Sequence, residues 1–176
     1  ATGDVNDPES LFGWIEAAVS HGAGRVDGML LVAAWRAADA SDHERLHEVA
    51  EIGAAMRGTA ELALESNAQG EGFLETAQAA WPNDAVEAAV TAIKQTKISP
   101  ALPVPVAVGV VSACHGVPVE YVLPMYLQSF AAGIVSAGVR LIPFGQTTDR
   151  KSTRLNSSHV VTPYAGFCLK LNSHTT

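Results

Sequence analysis

Two histidines at helical spacing are the first residues whose types could support chemistry. His43 and His47 stand four positions apart, and residues at i and i+4 share a helix face, where two imidazoles can chelate a divalent metal. Glu44 stands between the two histidines, as in the His-Glu-x-x-His pattern of a helical metalloprotease, but the segment lacks the third ligand of such a site. Acidic neighbours on both sides of the pair are equally typical of a solvated helix surface. We therefore assign no metal site and keep His43 and His47 only as candidate ligands.

The other reactive side chains do not form a catalytic set. Cys114 and His115 are adjacent, so on a helix their side chains would point about 100° apart. A core thiol beside a helix-terminal histidine is the plainer interpretation. The sequence contains no phosphate-binding glycine loop, no Gly-x-Ser-x-Gly turn and no Cys-x-x-Cys pair. We predict no catalytic residue and no bound cofactor.

A single cation lies in the apolar C-terminal part of the helical region. Arg140 is the only lysine or arginine between positions 97 and 150, and Pro143 and Gly145 follow it closely. A buried guanidinium needs carboxylate, carbonyl or partner groups, because an unpaired buried charge is costly. Two interpretations stay open. Arg140 bridges two helices through an acidic residue, or it contacts another protein beside a Pro/Gly break that exposes Gln146.

Composition excludes two classes of protein. Hydrophobic residues make up 48% and charged residues 16%, which is typical of a chain with a packed core and not of a disordered one. The formal net charge of −7 argues against sequence-independent nucleic-acid binding, which needs cations to displace phosphate counterions. The apolar run at 104–113 is about half a bilayer span, and the run at 126–144 is interrupted by polar residues and Arg140. We predict neither a nucleic-acid partner nor a membrane segment.

Charge and composition change abruptly near residue 148. Residues 1–148 have a net charge of −10, whereas residues 149–176 have a net charge of +3 and are rich in Ser, Thr and Asn. The string Asp-Arg-Lys-Ser-Thr-Arg-Leu-Asn-Ser-Ser-His at 149–159 resembles a DNA sequencing adapter translated in frame. We expect residues 149–176 to be a non-native, disordered tail. The acidic remainder is either simply solvated or able to dock a basic partner.

Helical periodicity runs through residues 1–148 and predicts an all-α fold with a single bundle-like domain. Asp7, Pro8 and Glu9 predict one helix start, and Ser41 with Glu44 predicts another through a capping box. A valine-rich segment could also form a buried strand, but no second strand is available to pair with it. The predicted helices cover residues 8–21, 25–38, 42–58, 59–81, 84–94, 105–115 and 119–141.

Apolar spacing within these helices predicts which residues are buried. The first helix is expected to bury one stripe: Leu11, Trp14, Ile15, Ala18 and Val19. The third is expected to bury Leu46, Val49, Ala50 and Ile52. The last helix is predicted to be the central core element through Leu123, Tyr126, Leu127, Phe130 and Ile134.

Residues 136–146 read Ser-Ala-Gly-Val-Arg-Leu-Ile-Pro-Phe-Gly-Gln. This pattern resembles the hallmark of the urease accessory proteins of the F type (UreF). The resemblance extends to 115–118 (His-Gly-Val-Pro), 126–131 (Tyr-Leu-Gln-Ser-Phe-Ala), Trp81-Pro82 and 21–27 (His-Gly-Ala-Gly-Arg-Val-Asp). It covers essentially residues 1–148, and the order of these motifs over that length makes it specific.

The resemblance implies a cytoplasmic, all-α, non-catalytic chaperone. Members of the family dimerise and join an accessory protein of the D/H type and a GTPase of the G type, and the assembly delivers nickel to apo-urease. The family's Arg/Lys before Leu-Val-Pro corresponds to Arg140, and its Gly-Gln corresponds to Gly145 and Gln146. Arg140, Pro143, Gly145 and Gln146 are therefore predicted to contact partner proteins.

The sequence departs from the family at both ends. The Gly- and aromatic-rich N-terminal segment is missing, and the helices that follow Gly-Gln are replaced by the adapter-like tail. We expect a fragment truncated at both ends. Two other functions stay open: a fragment of a helical enzyme whose catalytic residues lie outside this chain, and a metal-storage module that uses His43 and His47.

Overall fold

A computed structural model describes residues 5, 7–94 and 102–141, and within these residues the chain forms seven α-helices and no strand. The helices are α1 (Pro8–Ser20), α2 (Ala23–Asp39), α3 (His43–Ala55), α4 (Ala60–Ala80), α5 (Asp84–Lys94), α6 (Val104–Cys114) and α7 (Val119–Leu141). The all-α prediction is confirmed, and the valine-rich segment is α6. None of the helices described is long and apolar enough to cross a membrane. The predicted tail at 149–176 lies outside the described residues.

Side-chain caps explain where two of the helices begin. Asp7 precedes α1, and its Oδ1 accepts a hydrogen bond from the backbone N–H of Ser10 at 2.8 Å. That hydrogen bond stabilises the carboxylate and lowers the pKa of Asp7 below its ordinary value. Thr59 precedes α4, and its hydroxyl accepts from the N–H of Leu62 at 3.2 Å. Both starts follow from residue types that satisfy the free amides of a first helical turn.

The capping box predicted at Ser41 is wrong. The N-cap of α3 is Asp42, whose Oδ1 accepts from the N–H of Arg45 at 2.9 Å. Ser41 instead has φ of +55°, in the left-handed region that often terminates a helix. Ser41 lies in the turn that follows α2, so the N-cap of α3 is the next residue, Asp42.

Two of the predicted apolar stripes are too wide. Trp14 is 52% exposed and Ile52 is 48% exposed. Among the hydrophobic residues of α1 whose burial is described, only Leu11, Ile15 and Val19 are deeply buried, and they lie at i, i+4 and i+8 along one narrow row. Trp14 falls beside that row and faces solvent.

The described residues form two compact units, whose boundaries fall within α2 and α7, and the first unit combines the described residues up to Gly28 with residues 123–141. One core cluster of this unit consists of Leu11, Ile15, Val19 and Ala131, with Val5, Phe130, Ile134 and Val135 packed against them. In α7, Leu123 and Leu127 are fully buried, whereas Phe130 is only half-buried. The part of α7 in this unit therefore supplies core residues as predicted, through the leucines more than through the phenylalanine.

The second unit runs from Met29 to Val122 and is built around α6. Helices α3, α4 and α5 all pack against α6, and residues on every side of α6 are buried: Pro105, Val106, Ala107, Gly109, Val110, Val111 and Ala113. A helix that is apolar on all sides needs such complete coverage. A Cβ at Gly109 would stand 2.6 Å from the carbonyl oxygen of Leu31, so glycine is required where α6 meets α2.

A partly buried hydrogen bond in the first unit leads to a testable prediction. The hydroxyl of Tyr126 donates to Oδ2 of Asp27 at 2.8 Å, and Asp27 is 6% exposed. Tyr126→Phe is expected to cost about 1–3 kcal/mol of unfolding free energy, because a buried acceptor loses a donor. Urea denaturation measures the cost. The control is Tyr121→Phe, at a tyrosine that is 64% exposed, where we expect a change within about 0.5 kcal/mol. Equal effects of the two substitutions would contradict the role of the hydrogen bond.

Candidate docking site at the end of α7

Arg140 lies in the last turn of α7, and its side chain is exposed. Its Nε donates a hydrogen bond to the carbonyl oxygen of Ser136 at 3.1 Å. A cation in this position also interacts favourably with the C-terminal end of the helix dipole. The guanidinium is thus held by its own helix, with its remaining donors available to solvent or to another molecule.

Burial differs between the two sides of α7, and this difference explains why Arg140 is exposed. Ala131 and Gly138 are buried, and a Cβ at Gly138 would stand 2.8 Å from Cδ2 of Leu11. Ser136 and Arg140, four residues apart, are both exposed. Packing of Gly138 onto α1 therefore fixes the rotation of α7 about its axis and directs Arg140 away from the core of its unit.

Ion pairing bears on the two interpretations of Arg140. Two ion pairs join side chains of α3, Arg45–Glu48 at 2.8 Å and His47–Glu51 at 3.4 Å. Arg140 takes part in neither of them. Because its side chain is exposed, it escapes the desolvation cost that would demand a buried carboxylate. Pro143, Gly145 and Gln146, the other predicted contact residues, lie outside the described residues.

The candidate metal ligands differ in their surroundings. His43 is exposed, whereas His47 is half-buried. Nδ1 of His47 lies 3.2 Å from the carbonyl oxygen of Ile93, and its Nε2 lies 3.4 Å from a carboxylate oxygen of Glu51. A metal at His47 would have to displace one of these contacts. In the part of the chain that is described, no group of three or more His, Cys, Asp or Glu is placed to hold a metal ion.

The adjacent pair Cys114 and His115 is likewise divided between two environments. Cys114 is a half-buried free thiol, and burial raises its pKa above the ordinary value, which disfavours the reactive thiolate. His115 is the exposed C-cap of α6. The geometry favours the interpretation of a packed thiol beside a helix-terminal histidine.

Asn83 is a structural residue that the sequence did not single out. Its side-chain amide donates to the carbonyl oxygen of Cys114 at 2.9 Å, and its Oδ1 accepts from the N–H of Ala85 at 2.9 Å. Its own N–H donates to Oε1 of Gln78 at 3.0 Å. Asn83 thereby connects α4, α5 and the end of α6. The available signal was an asparagine directly before a helical pattern, which is a common capping residue.

Comparison with known proteins identifies the family. The sequence model of the UreF family matches residues 5–151. The chain belongs to the UreF family. A urease accessory protein UreF from Granulibacter bethesdensis is 45% identical over 150 residues, which cover 85% of this chain and 61% of the relative. The UreF of Rhodopseudomonas palustris (strain BisB5) is 44% identical over 149 residues, covering 85% of this chain and 59% of the relative.

A more distant UreF, from Bradyrhizobium diazoefficiens, is 37% identical over 149 residues and 60% of its length. The chain thus spans about 60% of the length of the curated UreF proteins that it matches. The resemblance drawn from 136–146 and the motifs before it is confirmed. Arg140, which lies within the matched range, is therefore part of a UreF sequence.

Proposed function

We propose that this chain belongs to a non-catalytic, cytoplasmic chaperone subunit that helps to deliver nickel to apo-urease. In this proposal it acts within an assembly that contains an accessory protein of the D/H type and a GTPase of the G type, as a homodimer. Its membership of the UreF family, whose curated relatives are named urease accessory proteins, supports a role in urease maturation.

We further propose that Arg140, at the end of α7, contacts these partners together with Pro143, Gly145 and Gln146, which follow it in the sequence. The observation that supports this contact is the exposed guanidinium of Arg140, which is held by the Ser136 carbonyl of its own helix. A planar cation fixed in this way has donors free for bidentate bonds to a partner's carboxylates. Arginine is also among the residues that most often dominate the energy of an interface.

The test uses a full-length UreF, such as the Granulibacter bethesdensis relative, with Arg→Ala and Gln→Ala changes at the positions that match Arg140 and Gln146. We expect each change to weaken pull-down of the GTPase and to reduce nickel-dependent urease activation. The loss at Arg140 should exceed about thirty-fold in affinity if the arginine lies at the centre of the interface, because central arginines contribute more than about 2 kcal/mol. Thermal stability of the free protein is expected to stay unchanged.

The matched control is Arg→Ala at the position of Arg45, an exposed arginine whose pair with Glu48 lies on the surface of α3. Such pairs contribute little, so binding and activation should be retained. If the change at Arg140 lowers stability, and binding falls only in proportion to the folded fraction, Arg140 has a structural role and the docking assignment is wrong. Retained binding and activation at unchanged stability would also contradict it.

A further inference from the structure

A groove between α4 and α5 combines an apolar floor with a carboxylate rim. Both helices pack closely on α6 and much less closely on each other, so a space of about 390 Å³ remains between them. Leu74 and Val90 line its apolar part, and Glu71, Glu75 and Glu87 line its edges, with Lys94 as its cation. All of these residues lie in the second unit.

The described residues neutralise the carboxylates of this groove only in part. Glu71, Glu75 and Glu87 are exposed, and none of them belongs to either of the two ion pairs of α3. Glu71 and Glu75 stand four residues apart on one helix face, where like charges repel each other. Lys94 offsets part of this charge. The groove therefore keeps a negative rim that a cationic occupant would stabilise.

The positions of the carboxylates and apolar residues in the groove favour one kind of occupant over others. The carboxylates are spread along two helices, and no three acidic or other ligand residues in the described part of the chain converge on one metal position. A nucleic acid would be repelled by the same charges. An arginine side chain fits both features, because its aliphatic stem can lie on Leu74 and Val90 while its guanidinium bonds a carboxylate at the rim.

We propose that the α4–α5 groove binds an arginine-bearing segment of a partner protein. A volume of about 390 Å³ lies at the small end of the range for ligand pockets, so the segment inserts a few side chains instead of a whole helix. Gln78 also lines the groove, and its side chain is held by hydrogen bonds to the backbone of Asn83. The assignment is independent of the contact proposed for Arg140, which lies in the other unit.

The probe is a short fluorescein-labelled peptide in which arginines alternate with leucine and alanine, and its binding to the full chain is followed by fluorescence anisotropy. We expect saturable binding that weakens as salt is raised and that is lost when glutamine replaces every arginine. The triple variant Glu71→Gln, Glu75→Gln, Glu87→Gln should weaken the affinity about ten-fold or more. Thr91→Tyr, at an exposed position in the groove, should weaken binding without any change of charge.

A second triple variant separates the groove from general acidity. Glu44→Gln, Glu65→Gln and Glu120→Gln alter three exposed glutamates that do not line the groove, and the change in net charge is the same. We expect less than about two-fold weaker binding. Circular dichroism verifies that every variant is folded. Equal weakening by both triple variants overturns the proposal and leaves only general acidic attraction. Failure of the peptide to bind the unaltered chain, or undiminished binding to the groove variants, overturns it as well.

Discussion

Gly70→Ala is expected to destabilise the chain by about 2 kcal/mol or more, although alanine is the better helix former. A Cβ at Gly70 would collide with the carbonyl oxygen of Leu102 and lie 3.1 Å from the backbone nitrogen of Val104. Backbone atoms cannot move aside as a flexible side chain can, so α4 would have to shift away from the start of α6. Overpacking costs about 1–3 kcal/mol and at times more. Because the obstructing atoms are backbone, we expect the upper end of that range, which leaves about 2 kcal/mol after the gain of about 1 kcal/mol in helix propensity.

Gly72 provides the matched control on the same helix. It is exposed, and a Cβ there would meet nothing within 4 Å. Gly72→Ala is therefore expected to stabilise the chain by about 0.5–1 kcal/mol. Urea denaturation followed by far-UV circular dichroism measures both values. If both substitutions stabilise the chain, the close approach of α4 to residues 102–104 is wrong.

Leu127→Ala is expected to cost about 2–5 kcal/mol, the largest effect that we predict in the first unit. Leu127 is fully buried at the middle of α7, and truncation of a buried leucine combines lost transfer free energy with a cavity. The measurement is the free energy of unfolding in urea, with tryptophan fluorescence as a second probe.

Met125→Ala is the control for this prediction, because Met125 is 71% exposed on the same helix and should change stability by no more than about 0.5 kcal/mol. Phe130→Ala is expected to fall between the two, since its ring is half-buried. A cost at Leu127 no larger than that at Met125 would contradict the packing of α7.

Local sequence signals predicted the helices because these signals act within a few residues. Asp7 and Thr59 cap the next turn directly, and Pro82 follows the end of α4. Ser41 misled the prediction, since its left-handed backbone depends on how the chain leaves α2. Trp14 is exposed because the helices packed against α1 cover only a narrow part of its apolar stripe. The spacing of apolar residues within α1 does not reveal how wide that covered part is.

For the candidate sites too, the sequence revealed what depends on nearby residues, and the structure revealed what depends on contacts between helices. The sequence identified Arg140 through its isolation among apolar residues, and the structure adds that its side chain is exposed. It did not reveal the α4–α5 groove, because Glu71 and Glu87 become neighbours only when both helices pack on α6. Nor did it reveal that His47 contacts the carbonyl of Ile93 in another helix.

The complete coverage of α6 has a consequence for the chain before it folds. Residues 106–111 read Val-Ala-Val-Gly-Val-Val, an uncharged stretch with the high β-propensity that favours intermolecular strand pairing and aggregation. Once α3, α4 and α5 have packed around α6, this stretch is out of reach of other chains. Pro105 stands directly before it and Pro103 two residues earlier, and both oppose strand pairing there, since proline cannot donate to a β-ladder. The segment at the buried centre of the second unit is thus also one that favours aggregation while the nascent polypeptide is still unfolded.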